Sequence, residues 1–441
     1  MSRKNVPQAV PEEGVVAALN HDAEGVIRGD TKTVFVPGAL PGETIRYLRT
    51  RRHRQHDEGQ LLEVLMAAAE RVEPKCAHFG VCGGCALQHL APAAQLRAKQ
   101  NELAENLQRI GRVSPERWLA PIEGPVWQYR RRARLGAKFV TKRGRVLVGF
   151  RERAKPYIAA LERCEILAPP LDALITPLSD LLSGMQAKSS IPQIEAAVTP
   201  QVTVLVFRHL EPLCEADREA LRAFEQSQPV RVYLQPGGLE TIQPLQGAPA
   251  ELCYELPQFD LSFEFLPTDF IQINASINEA LISRAVELLQ ITAADRVLDL
   301  FCGLGNFTLA LARRAGSVVG LEGDAGLVER ARGNARRNGI GNAEFQVANL
   351  FDADSATAAF GGPYSRVLLD PPRAGAIEAL PRIAALKPER IVYVSCHPGT
   401  LARDLGILCH DFGFRLQAAG VVDMFPHTTH VESMAVLERG K

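Results

Sequence analysis

The sequence has no net charge: 50 lysines and arginines face 50 aspartates and glutamates. That balance excludes a uniformly basic nucleic-acid binder. No apolar run approaches the roughly 20 residues that span a bilayer. The opening, MSRKNVPQAVPEEG, lacks the apolar core of a secretory signal. Internal repeats and low-complexity tracts are absent as well. What remains is an ordinary globular composition of 441 residues, enough for two to four domains and a large core. The expected compartment is the cytoplasm, where nine cysteines are read as thiols for metal or redox chemistry rather than as disulfides.

The charge is unevenly spread. Residues 1–150 hold 24 Lys+Arg against 15 Asp+Glu, which suggests one cationic face and a polyanionic partner. Residues 15–66 read as five short strands, with PGALPGE as a strong turn. That pattern suits a small Greek-key barrel of the OB type, a fold that often binds RNA. The basic stretch RTRRHR (49–54) is either an RNA-facing strand end or a solvated charged hairpin. A helix follows, with Leu96, Leu103 and Leu107 on its apolar stripe and a glycine at its end. Residues 125–260 are mostly β-like with helical insertions. Within them YRRRAR (129–134) alternates as a strand would and is read as an RNA-facing edge. From about 275 onward, β-branched runs alternate with helical stretches, which predicts a doubly wound, mainly parallel sheet.

Three cysteines, Cys76, Cys82 and Cys85, fall within ten positions in KCAHFGVCGGCALQH. Three is an odd number for disulfides. With a fourth, distant thiol they could hold zinc or an iron–sulfur cluster. Zinc ribbons usually bring two close pairs, so a three-plus-one pattern favours iron–sulfur. The spacing does not match the Cys-x3-Cys-x2-Cys of radical enzymes. Cys214, Cys253, Cys302 and Cys409 are expected to be structural.

In VLDLFCGLGNF a strand ends at Leu300 and a glycine turn opens a helix. Gly303 and Gly305 allow close backbone approach, but the third glycine of the dinucleotide fingerprint is missing. Asp299 precedes the turn, Glu322 ends the next strand and Asn349 follows the third. This set has little to cradle a pyrophosphate. It suits S-adenosylmethionine better than NAD, and a NAD-dependent oxidoreductase also lacks a hydride-transfer histidine motif. Asp370 in LLDPPRAG sits at the end of the fourth strand. Methylases of exocyclic amines usually carry an aromatic after Asp-Pro-Pro. Arg373 stands there instead, which favours another target atom.

Cys396, in IVYVSCHPGT, follows a strongly β run and precedes a turn. It is placed as a nucleophile at the cofactor crevice, although buried structural thiols are common. Glu432, in THVESMAVL, is an acid in an apolar strand and the candidate base, with His427 and His430 beside it as next candidates. Such a pair suits C5 of a uracil. A thiolate adding to C6 makes C5 nucleophilic, and a base then removes the C5 proton.

FCGLGNF, LDPPRAG, VSCHPGTLARDL and HTTHVESM together resemble the RNA uracil-C5 methyltransferases. The resemblance covers nearly the whole chain. It implies an N-terminal TRAM barrel (1–70), a central β-rich domain with a [4Fe-4S] cluster (71–264) and a Rossmann-like S-adenosylmethionine methyltransferase domain (265–441). The helical segment 93–124 is a candidate to pack on the catalytic domain. It implies Cys396 as nucleophile and Glu432 as base. Cofactor contacts fall on Gln272, Phe301, Asn306, Glu322, Asn349 and Asp370, and cluster ligands on Cys76, Cys82, Cys85 and Cys164. The cluster would be structural or RNA-facing, since methyl transfer is polar. Transfer-RNA relatives usually lack both barrel and cysteines, so the expected substrate is 23S ribosomal RNA. The expected protein is a monomer without an obligate protein partner. The rival from another class is a non-catalytic iron–sulfur RNA-binding protein that has kept a dead methylase fold. Intact Cys396, Glu432 and Asp370 count against it.

Overall fold

The computed structural model describes residues 10–29, 32–352 and 360–440. They form two compact units. One comprises the described residues through Lys99 with Glu152–Lys155 and Pro426–Thr429; the other comprises the remainder. Among the described residues, no helix is long and apolar enough to cross a membrane.

The first unit begins with β1 (Glu12–Leu19), β2 (Glu24–Arg28), β3 (Thr33–Pro37), β4 (Thr44–Arg52) and β5 (His56–Met66). They close a barrel in the order β1-β2-β3-β5-β4. Period-2 alternation decides which side chains fill it: Val34 and Val36 point inward from β3, and Val16, Ile27, Ile45 and Tyr47 meet them. The expected small barrel is therefore present. A second cluster in this unit joins Ala23 and Leu40 to Leu87, Leu90 and Ala94. Beside it the buried Glu43 carboxylate accepts from the Leu40 amide at 2.8 Å and takes two bonds from the Arg71 guanidinium, at 2.5 and 2.8 Å. A bidentate pair of this kind compensates the burial of the acid. It ties the PGALPGE turn to the start of the cysteine loop.

The second unit takes in the end of α1 (Pro92–Asn106), which widens into a π-helical turn over Leu107–Gly111. Next come β6 (Arg117–Trp118), β7 (Arg132–Val140), β8 (Arg145–Gly149), α2 (Ile175–Gly184), β9 (Gln193–Val198), β10 (Thr203–Arg208), α3 (Glu215–Ser227), β11 (Val230–Gln235) and β12 (Gln243–Pro244). Strands β7–β12 form one six-stranded sheet in the order β12-β11-β10-β9-β7-β8. A hairpin, β13 (Cys253–Leu256) and β14 (Leu261–Glu264), leads to α4 (Ala275–Leu289).

The last sheet contains β15 (Arg296–Leu300), β16 (Ser317–Glu322), β17 (Ala343–Val347), β18 (Arg366–Leu369), β19 (Arg390–Ser395), β20 (Phe414–Val422) and β21 (Glu432–Arg439). Between them run α5 (Thr308–Ala312), α6 (Ala325–Arg337), α7 (Leu380–Ala385) and α8 (Pro398–His410). With β6 the order is β17-β16-β15-β18-β19-β21-β20-β6. Strands β15 to β19 are parallel, and β21 enters antiparallel between β19 and β20. The chain runs outward from β15 to β17 and then returns to β18 beside β15. That reversal creates the crevice at which open α/β sheets bind ligands.

Of the two basic stretches, one differs from expectation. YRRRAR is not an edge, because β7 lies between β9 and β8. Tyr129 and Arg131 are buried, and Arg132 and Arg134 both pair with Glu195. Only Arg132–Arg134 of the stretch belong to β7, whose Ala133, Leu135 and Ala137 are buried on one face while Arg134 and Lys138 are exposed on the other. In RTRRHR, Arg49 is held by Glu12 and Asp57 within the barrel, while Arg51, Arg52 and Arg54 are exposed.

The π-turn packs closely on α8. A Cβ on Gly406 would lie 2.7 Å from the Gly111 carbonyl oxygen, and one on Gly111 would lie 2.4 Å from that of Ala402. Backbone cannot retreat from such contacts as a flexible side chain can. Gly406→Val is therefore expected to lower stability by about 1–3 kcal/mol, the usual cost of overpacking. An unchanged thermal midpoint would show that this approach is not constrained.

Candidate active site

Strand ends at the switch point build the site. Leu300 closes β15, and the backbone turns through Phe301, Gly303 and Gly305, all at positive φ (65°, 56° and 93°). Such values suit glycine and are uncommon for phenylalanine. A Cβ on Gly303 would meet no atom within 4 Å, so this turn leaves room for a ligand against bare backbone. Its amide donates to Glu322 Oε2 at 3.1 Å, while the Asp324 amide donates to Glu322 Oε1 at 3.0 Å. The Glu322 carboxylate is thereby fixed at the end of β16.

Gln272, Phe301, Asn306, Glu322, Asn349 and Asp370 all line one cavity of about 510 Å³, and Cys396 and Glu432 line it too. The volume is that of an ordinary small-molecule site. Cys396 and Glu432, distant in sequence, are joined by strand register. Ser395 on β19 pairs with Ser433 on β21, so the residue after one and the residue before the other stand side by side. Glu432 is only 3 % exposed.

The electrostatics follow from burial. Glu432 is pushed well above the usual carboxylate range by desolvation and then by the neighbouring Asp370 charge. Asp370 is pushed up by burial as well. Two neighbouring carboxyls, one buried and one half-buried, cannot both ionise cheaply, so the pair favours holding a proton. Burial, with the Glu432 and Asp370 charges, raises the Cys396 thiol to about 11, and the Arg373 guanidinium opposes that rise. Behind the turn, Asp299 is raised to about 8 by burial; the Asp370 and Glu322 charges add to this, while the Thr308 hydroxyl, donating at 2.5 Å, acts against it.

Several supporting residues had escaped sequence reasoning. Tyr254 donates its hydroxyl to Asn306 Oδ1 at 2.7 Å, and Asn278 exchanges two further bonds with the same amide, at 3.2 and 2.9 Å. The Arg131 guanidinium lies 4.7 Å over the Tyr254 ring, and its Nε donates to the Gln272 carbonyl at 2.8 Å. Burial pushes this guanidinium down to about 10. The Asn306 partners lie 28 and 52 residues away in sequence and the Arg131 partners more than 100, so no local pattern announces these contacts. Phe270, 72 % exposed, and Phe351 stand in the cavity wall. Cys302 is buried in that wall, whereas Cys214 is exposed and does not pack a core.

His430 stacks near Phe425 at 5.4 Å and shares a 3.0 Å hydrogen bond with Arg373. His427 belongs to the first unit. Its ring Nδ1 meets Gln95 Nε2 at 3.1 Å, its amide donates to Gln95 Oε1, and its carbonyl accepts from Ala86 and Leu87. Neither histidine lines the cavity.

Cys76, Cys82 and Cys85 lie in the first unit and Cys164 in the second; none is in a disulfide. The Gly84 amide points at Cys82 Sγ, 3.4 Å away, and burial, with Cys76 nearby, raises the Cys82 thiol. Among the described residues, no group of three or more His, Cys, Asp or Glu is gathered so as to hold a metal ion.

The family model for tRNA (Uracil-5-)-methyltransferase matches residues 93–440. A protein of Nitrosococcus oceani named 23S rRNA (uracil(1939)-C(5))-methyltransferase RlmD is 51% identical over 97% of this chain and 96% of its own length. Its namesake in Alkalilimnicola ehrlichii is 49% identical over 99% and 98%. The crystal structure of Pyrococcus abyssi tRNA (uracil-54, C5)-methyltransferase, in complex with S-adenosyl-L-homocysteine, superimposes with a TM-score of 0.76. It is 24% identical and covers 97% of this chain and 100% of that one. The chain belongs to the S-adenosylmethionine-dependent RNA (uracil-5-)-methyltransferase family.

Asp299 gives a direct test of the buried electrostatics. Its folded-state value lies above the ordinary 3.8, so its contribution to stability is full below that value and is lost as the pH rises through about 8. In ligand-free protein, the urea midpoint of Asp299→Asn should gain on that of the unmutated chain across this window. Parallel pH profiles would show that Asp299 is not held protonated.

Proposed function

We propose that this chain methylates C5 of one uridine in 23S ribosomal RNA, in the cytoplasm, through a covalent bond between Cys396 and C6 of the uracil. The observation that carries this reading is the Ser395–Ser433 register, which brings a thiol and a buried acid into the same cavity. The near-full-length relatives named for 23S rRNA favour that substrate over transfer RNA. Bound S-adenosylmethionine supplies an electrophilic methyl group. The open Gly303 turn, the anchored Glu322 carboxylate and the locked Asn306 amide fit such a cofactor, with Gln272, Phe301, Asn349 and Asp370 as its further contacts.

Cys396 gives up its proton to solvent and its thiolate forms the S–C6 bond, and the C5–C6 electron pair moves into the O4 enolate. C5 becomes nucleophilic and would accept the methyl group, whose sulfonium carrier would leave as the neutral thioether. Glu432 then takes the C5 proton, the C5=C6 bond re-forms and the thiolate leaves. The burial that lifts Glu432 above the usual carboxylate range also makes its ionised form a stronger base. Arg373, which opposes the rise of the Cys396 thiol, helps to form the attacking thiolate.

The proposed division of labour is a TRAM barrel at 1–70, a cluster-bearing region at 71–264 and a catalytic domain at 265–441. Cys76, Cys82 and Cys85, with Cys164 as the fourth thiolate, are proposed to hold a [4Fe-4S] cluster. Their spacing and thiol chemistry support this. A cubane binds each thiolate to a different iron, so its ligands stand further apart than those of a single ion.

Cys396→Ala should abolish methyl transfer, because without the adduct C5 is a poor nucleophile. Glu432→Gln should still add and methylate but fail to eliminate. It should accumulate a denaturation-resistant protein–RNA complex carrying label from the methyl donor. Near-normal turnover of Glu432→Gln without adduct would remove Glu432 from the role of base.

A further inference from the structure

Resting on the cluster reading above, we propose that His89 donates a ring N–H hydrogen bond to a sulfur of the iron–sulfur group held by the cysteine loop. His89 ends the motif KCAHFGVCGGCALQH, and no role described so far uses it. Its side chain is only 2 % exposed, yet neither Nδ1 nor Nε2 has a hydrogen-bond partner. A neutral imidazole always carries one N–H, and burying it unpaired is costly. Buried polar groups in folded proteins are nearly always satisfied, so a doubly orphaned ring marks a place where something else belongs.

The surroundings say what that partner is. The His89 ring packs 5.2 Å from the ring of Phe79, which lies between Cys76 and Cys82 in the chain. The Phe79 amide donates to the Cys76 carbonyl, and Phe79 bridges to Cys82. Gln88, the preceding residue, accepts from the Cys76 amide at 3.1 Å. The orphaned ring is thus built into the same short loop as the three thiols. Of the charged groups around it, Arg71, Glu43 and Arg153, the first two already bond each other. The loop also shows the type of bond in question, since the Gly84 amide points at Cys82 Sγ. Hydrogen bonds to cluster sulfurs stabilise the thiolate and sulfide charge and tune the cluster.

The test uses full-length protein purified without oxygen. Iron is counted, and its release to a chelator is timed, alongside the visible charge-transfer band. His89→Phe keeps an aromatic ring against Phe79 but has no donor, and His89→Leu removes both. His89→Asn restores a donor in a smaller side chain. The Phe and Leu variants should lose iron about tenfold faster than the unmutated protein, the scale expected for a lost outer-sphere partner, and Asn should recover most of that difference. If His89→Phe does not fold, the Leu and Asn pair makes the same comparison. Equal retention in all variants, or equal loss in all three, overturns the proposal. So does one zinc per chain that is lost in His89→Phe and kept in Cys164→Ser, which would make His89 a ligand. Unmutated protein with neither iron nor zinc would instead refute the cluster reading itself.

Discussion

The active-site reading depends on one backbone ladder. β21 enters antiparallel between β19 and β20, and its pairing with β19 sets Ser395 opposite Ser433. A shift of one residue would turn every side chain of β21 to the other face. Glu432 would then leave the cavity, and Asp370 alone would remain as the acid near Cys396. The ladder is well specified, because β19 and β21 are buried along almost their whole length. An apolar core on both faces thus fixes the placement of the two polar groups at its end.

Those polar groups are held at a cost to the fold. Asp299 and Glu432 are buried, Asp370 is half-buried, and all three are lifted above the ordinary carboxylate range. Such clustering is common where a fold is arranged for proton transfer. Other groups at the cavity are held by fixed hydrogen-bond partners. Asn306 is locked by Tyr254 and Asn278, and Arg131 braces both Tyr254 and the Gln272 backbone. The cavity therefore combines reactive groups with others held in place by hydrogen bonds that need no proton to move.

Much of this was legible in the residues. Alternation and the PGALPGE turn announced the five barrel strands, and βαβ rhythm announced the parallel sheet. Strand-end positions brought Glu322, Asn349, Asp370 and Cys396 to one crevice, because ligands gather at the carboxyl ends of such strands. Gln272 came only through family resemblance, since the FLPTDFIQIN stretch has no periodic signal and its place depends on Arg131. YRRRAR is not the edge it was expected to be, because a strand's alternation does not tell whether it has a hydrogen-bonded neighbour on each side. His89 looked like any other loop residue until burial showed that its ring has no partner. The barrel's cationic face is also smaller than its composition suggests, as Arg49 is used up within the barrel by Glu12 and Asp57.

The central claim is chemical: the Cys396 thiolate bonds to C6 of the target uracil. The measurement that tests it most directly uses ribosomal RNA carrying 5-fluorouridine at the target, incubated with the unmutated protein and S-adenosylmethionine. Fluorine cannot leave C5 as a cation, so the adduct should be trapped. After digestion, mass spectrometry should find one methylated fluorouridine attached to the peptide containing Cys396. A trapped nucleotide on any other residue, or release of unmodified RNA with no adduct at all, would contradict the account.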